Sequence, residues 1–499
     1  MNPLKKLAGQ TAVYGLSSIV GRFLNYLLVP LYTYTFATHE YGVVTELFAY
    51  VVVLQIVLTY GMETGFFRFS KKNYANDTVF STVLTSLLAT TTFFLIIGIV
   101  FSKQIATAIS YENNVEYIIY FVLILGIDVF TALPFARLRL QNKAKKFATF
   151  KIINISINIG LNLFFILLCP YVIELNPDSI LTAIYNPDIG VGYIFISNLI
   201  ASSVILLLFL PEYFKVKYSF DKKLLKLMLI YSLPLLVTGL SGAVNEMADR
   251  ILLKHWVTIP AGIENGHEYV MQQLGIYGAN AKIAVLMMML VQAFRYAAEP
   301  FFFSQDNDKD SFKVFADVMK YFIIIALLMF LGVMFYLDIV KYFIHKDYFE
   351  GLDVVLPLFL SRIFVGIFFV LSFWYKLKDV TRYGIAIVIS GSVITIVLNY
   401  FLIPKYGYIG AAWTNFSTYL VMIIISYFWS RKYLPIKYDF KRIFGYFALA
   451  LGLYFISIQF EYEYLYIKLL VNTGLFTIFV AVIIYLENII KLLKNKFRK

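Results

Sequence analysis

The chain is a succession of long apolar runs separated by short polar breaks. Residues 8–36, 40–68, 78–101, 115–140, 147–170, 189–211 and 224–255 form the first seven runs. Residues 273–303, 314–337, 352–376, 381–403, 408–430, 442–460 and 465–487 form the next seven. Most exceed the roughly 20 residues a helix needs to cross the hydrocarbon core. Several approach about 30, which predicts tilt, kinks or extension beyond the bilayer. The pattern predicts an all-α polytopic membrane protein of about 14 transmembrane helices. The first run is longer than the apolar part of a signal peptide and is expected to be retained. No hydrophilic gap exceeds about 20 residues, so no extramembrane catalytic domain is expected.

The polar breaks alternate in charge. One set holds Lys71, Lys72 and the basic stretches 137–146, 215–226, 376–382, 431–442 and 491–499. About 31 of the 43 Lys and Arg fall on that side and about 6 on the other. The opposite breaks are acidic, with Glu112, Glu116, Glu174, Asp178, Asp188, Glu264, Glu268, Asp347, Glu350, Glu461 and Glu463. Positive charge stays inside, so the basic loops and both termini are expected in the cytoplasm. A net charge of +13 invites a nucleic-acid reading. Its distribution over alternate loops is a topology signal and argues against nucleic acid as a partner.

An internal repeat runs through the apolar segments. Tyr41-Gly42 is followed by Tyr60 and Glu63, and Tyr277-Gly278 by Tyr296 and Glu299 at the same offsets. Gly15-Leu16-Ser17 and Val20 match Gly239-Leu240-Ser241 and Val244, which places Asn25 opposite Asp249. Leu161-Asn162 matches Leu398-Asn399, and the basic stretch 139–146 lines up with 376–382. Spans 1–6 therefore correspond to spans 7–12. An even span number makes the copies parallel, related by an axis along the membrane normal. The expected organisation is a six-helix lobe at 1–220, a second at 221–435, and two appended helices with a basic tail at 436–499. A transporter with its pathway between two copies fits this layout.

Composition adds exclusions. The single Cys169 leaves no disulfide framework, and the four His show no metal-ligand spacing. No P-loop, strand-borne dinucleotide glycine pattern or paired metal ligands are found, so no cofactor, metal or ATP-driven step within this chain is expected.

A charge within a span costs about 3 kcal/mol on insertion scales and needs a partner, a wet cavity or an interface. Such charges concentrate in the first two helices of each copy. Arg22, Arg68, Arg250, Arg295 and Arg362 could grip a phosphate or pyrophosphate bidentately. Glu63, Asp128, Glu246, Asp249 and Glu299 could balance those charges or carry a coupling proton or cation. For Arg68 the alternative is snorkelling beside Lys71 and Lys72. Glu63 could pair with Arg68 or with a neighbouring span, and Asp249 with Arg250 as a structural ion pair. Glu46 and Lys282 complete the charges noted in spans 2 and 8. Pro30, Pro134, Pro234 and Pro300 interrupt apolar runs and permit kinks.

Gly9-Gln10-Thr11, Gly15-Leu16-Ser17-Ser18, Pro30-Leu31-Tyr32, Glu40-Tyr41-Gly42, the stretch 61–69 with Arg68, and Tyr408-Ile409-Gly410-Ala411-Ala412 carry a family likeness. With the six-plus-six-plus-two layout, the chain resembles the polysaccharide transporter (Wzx-type, O-antigen) branch of the multidrug/oligosaccharidyl-lipid/polysaccharide exporter superfamily. The resemblance implies a flippase, not an enzyme. Its cargo would be an undecaprenyl-pyrophosphate-linked oligosaccharide, moved across the bacterial inner membrane by alternating access of two lobes. It implies membrane lipids and the lipid-linked glycan as partners, and a polysaccharide polymerase or assembly protein as a docking partner. The competing readings are a cation-coupled drug or metabolite exporter of the same superfamily, a lipid II flippase, and a membrane polymerase or glycosyltransferase.

Overall fold

A computed structural model of the chain describes residue 15 and residues 19–71, 75–304, 309–460 and 462–487. Expectations for 8–14, 16–18, Lys72, Glu461 and 491–499 lie outside the described residues. Among the described residues there is no strand. Helix α1 is Leu28–Thr35, preceded by a helical stretch at 19–26. It is followed by α2 (Thr38–Thr59), α3 (Met62–Phe69), α4 (Asn76–Val100), α5 (Ser102–Ala108), α6 (Val115–Leu140), α7 (Ala144–Leu163), α8 (Gly192–Phe214) and α9 (Lys222–Trp256). Then come α10 (Gly266–Ser304), α11 (Lys309–Met334), α12 (Val355–Leu371), α13 (Thr381–Tyr433), α14 (Phe440–Gln459) and α15 (Leu465–Leu486).

Twelve helical segments of the described residues are long and apolar enough to cross a membrane. One of them, α13, is two expected spans merged. It breaks at Gly407, whose φ of 54° and ψ of −136° suit glycine alone. With that division and the partly described first run, the structure matches the expected polytopic all-α fold.

Local sequence explains the helix ends. Glu40 accepts the Ala37 N–H at 2.8 Å and caps the first turn of α2. Asp221 accepts from the N–H groups of Lys223 (2.8 Å) and Leu224 (3.0 Å) at the start of α9. Tyr60 (φ 32°) and Gly61 (φ 70°) end α2 in the left-handed region and re-aim the short α3. The repeat-equivalent Tyr296 sits inside the unbroken α10, where Ala297 replaces glycine.

The chain divides into two compact units. The first comprises Met1–Gly278 with Ser392–Tyr408, the second Ala279–Gly391 with Ile409–Lys499. In the first unit, α2 packs on α6 and α9, and α6 on α4 and α8. Helix α9, which opens the second sequence copy, thus packs within the first unit, as does the start of α10. Glycines in and beside the repeated Tyr-Gly motif explain how α10 packs on α2. A Cβ on Gly42 would collide with the Met271 carbonyl, and one on Gly275 with the Thr38 carbonyl. A Cβ on Gly278 would strike the Thr45 side chain. Small residues let two membrane helices touch backbone to backbone. In the second unit, α11 packs on α12, α14 and α15. Asn472 donates to the Phe335 carbonyl at 2.7 Å and accepts from Ser457, tying α15 to the end of α11 and to α14.

Candidate functional site: a charged cavity and a polar seam

In the first unit, α2, α3, α6, α7 and α8 enclose a polar cavity of about 430 Å³. Two expected residues meet there. Glu63 reaches it because the Tyr60–Gly61 break turns α3, and Asp128 reaches it from α6. Glu63 accepts from Arg139 at the C-terminal end of α6, not from Arg68. Their side chains are 42% and 36% exposed, which puts this ion pair at the cavity mouth. Deeper in, Asp128 accepts from Ser202 Oγ at 2.8 Å, within electrostatic reach of the Lys151 ammonium. Lys151 itself lies 4.3 Å over the Phe135 ring. Gln55 and Asn154 also line the space, and neither side-chain amide hydrogen-bonds a described residue. Arg139 and Lys151 were not foreseen. The first reads as loop charge, and the second lies two turns inside a helix that starts at Ala144.

A second polar feature runs between α9 and the first half of α13, also within the first unit. Ser392 Oγ donates to the Ser241 carbonyl at 2.9 Å, and Thr395 Oγ1 to Asn245 Oδ1 at 3.4 Å. One turn further along each helix stand Asp249 and Asn399, 2% and 0% exposed. Asp249 accepts from Arg250 Nη1 at 2.9 Å and from the Tyr277 hydroxyl. Arg250 also donates to the Glu246 carbonyl at 2.8 Å. Asp249 and Arg250 therefore form a buried ion pair closed by a repeat tyrosine, and Glu246 contributes backbone to it. Both side-chain atoms of Asn399 are buried without a hydrogen-bond partner among the described residues.

The other expected cations are dispersed. Arg22 is exposed on the helical stretch before α1. Arg68 is exposed and lies 4.0 Å over the Tyr231 ring. In the second unit, Arg295 is exposed and lies 5.0 Å over Phe369. Lys376 stands over Phe373 at 4.9 Å, and Glu299 and Arg295 both act on its charge. Arg139 and Lys376 are aligned in the repeat, as are Glu63 and Glu299. Each unit thus brings a cation to its repeat carboxylate. Arg362 is half-buried on α12. The second unit also holds a groove of about 680 Å³ lined by apolar and aromatic side chains, including Phe364, Phe416, Phe440 and Phe447.

Sequence reading missed a fully buried charge pair. Lys254 Nζ donates to Glu46 at 2.9 and 3.0 Å and to the Ile109 carbonyl at 2.6 Å. Tyr111 adds a hydroxyl donor to Glu46 at 2.6 Å. Lys254 ends an apolar run and looks like a flanking charge. Its partner is 208 residues away, beyond what any local pattern can reveal.

Long apolar helices in two compact units, with charged side chains buried among them, define a polytopic all-α membrane fold. The fold is similar to that of the lipid II flippase MurJ in an inward closed conformation. The TM-score is 0.65 at 16% identity, over 95% of this chain and 98% of that one. It is also similar to an inward-facing multidrug resistance MATE family transporter of the MOP superfamily. That likeness has a TM-score of 0.55 at 16% identity, over 82% of this chain and 93% of that one. No protein-family profile and no curated protein matches the sequence.

Proposed function

We propose that the chain is a flippase that carries a lipid pyrophosphate-linked oligosaccharide across the bacterial inner membrane, with both termini in the cytoplasm. The observation that carries this reading is the polar, charge-lined cavity inside an otherwise apolar bundle. A hydrocarbon-soluble cargo would need no such lining, whereas a glycan would. The apolar groove of the second unit supports a lipid-bearing cargo. Among the arginines, Arg250 is committed to Asp249, which leaves the exposed Arg22 and Arg295 as first candidates to meet a pyrophosphate, with Arg68 and Arg362 behind them. Asp249, in the same seam as the unsatisfied Asn399, is the first candidate for coupling, and Glu299 with Lys376 the second. The two lobes of the repeat would alternate access, and no covalent bond would change. A lipid II flippase is the second reading, favoured by the closer fold match to MurJ.

The test is lipid-linked glycan in a deletion strain, measured by mass spectrometry with leaflet-selective labelling. Complete repeat units should build up on the cytoplasmic leaflet, and Arg22→Ala or Arg295→Ala should reproduce the build-up while still inserting. Accumulation of lipid II would select the second reading. Normal outer-leaflet glycan with altered drug tolerance would replace both by a cation-coupled exporter.

A further inference from the structure

We propose that the cavity enclosed by α2, α3, α6, α7 and α8 is a saccharide-binding subsite, taking an uncharged or zwitterionic sugar unit of the cargo. The inference rests on the reading of the cargo as a glycan and adds where its sugar is recognised.

Three observations converge on that ligand class. The first is charge balance. Asp128 and Glu63 face Lys151 and Arg139, so the lining is neutral overall. A pyrophosphate would meet two carboxylates, and a metal cation two ammonium-type groups. Neither gains from the site as a whole. The second is hydrogen-bonding capacity. The Gln55 and Asn154 amides are unpaired among the described residues, and Asn198 makes only a long 3.5 Å contact from Ser202. Each amide offers both donors and an acceptor. Vicinal hydroxyls, which donate and accept side by side, match such groups. A bare proton or alkali cation has no use for the amide donors. The third is size. About 430 Å³ lies within the roughly 300–1,000 Å³ of small-molecule sites. Phe135 and Phe147, packed on each other with ring centroids 5.3 Å apart, form the apolar part of the lining, with the Lys151 ammonium over the Phe135 ring. The mouth, marked by the half-exposed Glu63–Arg139 pair, lies at the first turn of α3 and at the last turn of α6, which leads into the basic stretch 137–146. A sugar assembled on that side would enter there.

The experiment is hydrogen–deuterium exchange on the full-length protein in detergent. It follows peptides covering 128–139, 147–154 and 198–205. The probes are N-acetylglucosamine, galactose, glucuronic acid, sodium pyrophosphate and sodium chloride, each added separately. At least one of the neutral saccharides, N-acetylglucosamine and galactose, should protect all three peptides, glucuronic acid, pyrophosphate and sodium should not, and Asn154→Leu should weaken that protection about tenfold, the worth of one or two hydrogen bonds. Asn198→Leu supplies an independent variant if the first does not fold. Protection by glucuronic acid or pyrophosphate without the neutral sugars would make the cavity an anion site, protection by sodium alone a cation site, and either overturns the proposal. So does protection by none of the five probes. The leaflet experiment above fails or succeeds independently. A cytoplasmic build-up without saccharide protection removes only this subsite, whereas saccharide protection without build-up removes only the flippase reading.

Discussion

The buried pair Glu46–Lys254 gives the sharpest energetic prediction. Glu46 is 0% exposed, and the Lys254 side chain 5%. All the strong contacts of the ammonium come from α2 and from the turn at Ile109 and Tyr111, with Tyr111 also offering its ring at 4.5 Å. Lys254→Met keeps the volume and removes the charge. It leaves a carboxylate with no solvent and takes the donor from the Ile109 carbonyl. Removing one partner of a buried pair costs about 3–5 kcal/mol. The combined variant Glu46→Leu, Lys254→Met and Tyr111→Phe removes both charges and the phenol donor at 2.6 Å, and leaves the Tyr50 hydroxyl as the remaining polar neighbour of position 46. Replacing a whole buried ionic cluster by apolar groups is neutral or stabilises by about 1–4 kcal/mol. The orphaned Ile109 carbonyl takes back about 1–3 kcal/mol of that.

The ordering is therefore wild type and combined variant close together, with Lys254→Met well below both. Thermal unfolding of the full-length protein in one detergent, with the three single variants and the combination, reads it directly. The large non-additivity is the signature. If Lys254→Met melts with the wild type, the pair is not the buried, dry cluster described here. If the combined variant loses the sum of its parts, the cost lies in packing and not in charge. The same cycle measures what it takes to part α9 from α2, a step the alternating-access reading requires.

Gly275→Ala should force α10 away from α2, since its Cβ would meet the Thr38 carbonyl and the Gly42 amide; overpacking of this kind costs about 1–3 kcal/mol or more, and thermal stability checks it. Asn162→Leu should destabilise, because the amide accepts from Tyr32 at 2.9 Å and donates to the Asn158 carbonyl at 2.7 Å. Asn399→Leu should be neutral or stabilising in the same assay, since it removes two unpaired buried atoms. Asp338 lies beyond the end of α11. Burial pushes its carboxyl up, but hydrogen bonds and charge from Lys468 and Lys341 outweigh that and hold it below the ordinary value of 3.8. A depressed carboxyl stabilises the fold above its unfolded pKa, and that share is lost as pH falls through the folded one. Asp338→Asn should therefore flatten the acid limb of a melting-temperature profile below about pH 4 and leave a lower, pH-independent plateau.

The spans were legible because their apolar runs are longer than any soluble helix needs, and most of the described helices begin and end within a few residues of those runs. Glu63 and Asp128 were legible as charges in apolar surroundings. Their partners were not. Arg139 sits at the last turn of α6 and Lys151 in a helix whose start at Ala144 is masked by Lys145 and Lys146, so both resemble loop charges. The pairing of Glu63 with Arg139 instead of Arg68 depends on the left-handed Tyr60–Gly61 break, a backbone event that the repeat spacing hides. Tyr60 and Tyr296 occupy equivalent letters, yet only the first is followed by glycine. Arg250 with Asp249 was readable as an adjacent pair, but the Tyr277 hydroxyl that closes it comes from another helix.

The repeat preserves positions more than partners, and the differences locate where work can be done. Asn162 and Asn399 are equivalent in sequence and equally buried. The first is saturated by Tyr32 and Asn158, so it fixes α7 against the helix bearing Tyr32. The second carries the cost of unmet hydrogen bonds, about 1–3 kcal/mol, in a seam whose other members are paired. The same contrast separates Glu63, paired at a cavity mouth, from Glu299, held near Lys376 without a close ion pair among the described residues. One copy has closed its polar groups on each other around a cavity. The other keeps an amide and a carboxylate uncommitted. On the proposed flippase reading, recognition would fall to the first and charge movement to the second, and the Asn399 and Asn154 variants would separate the two roles.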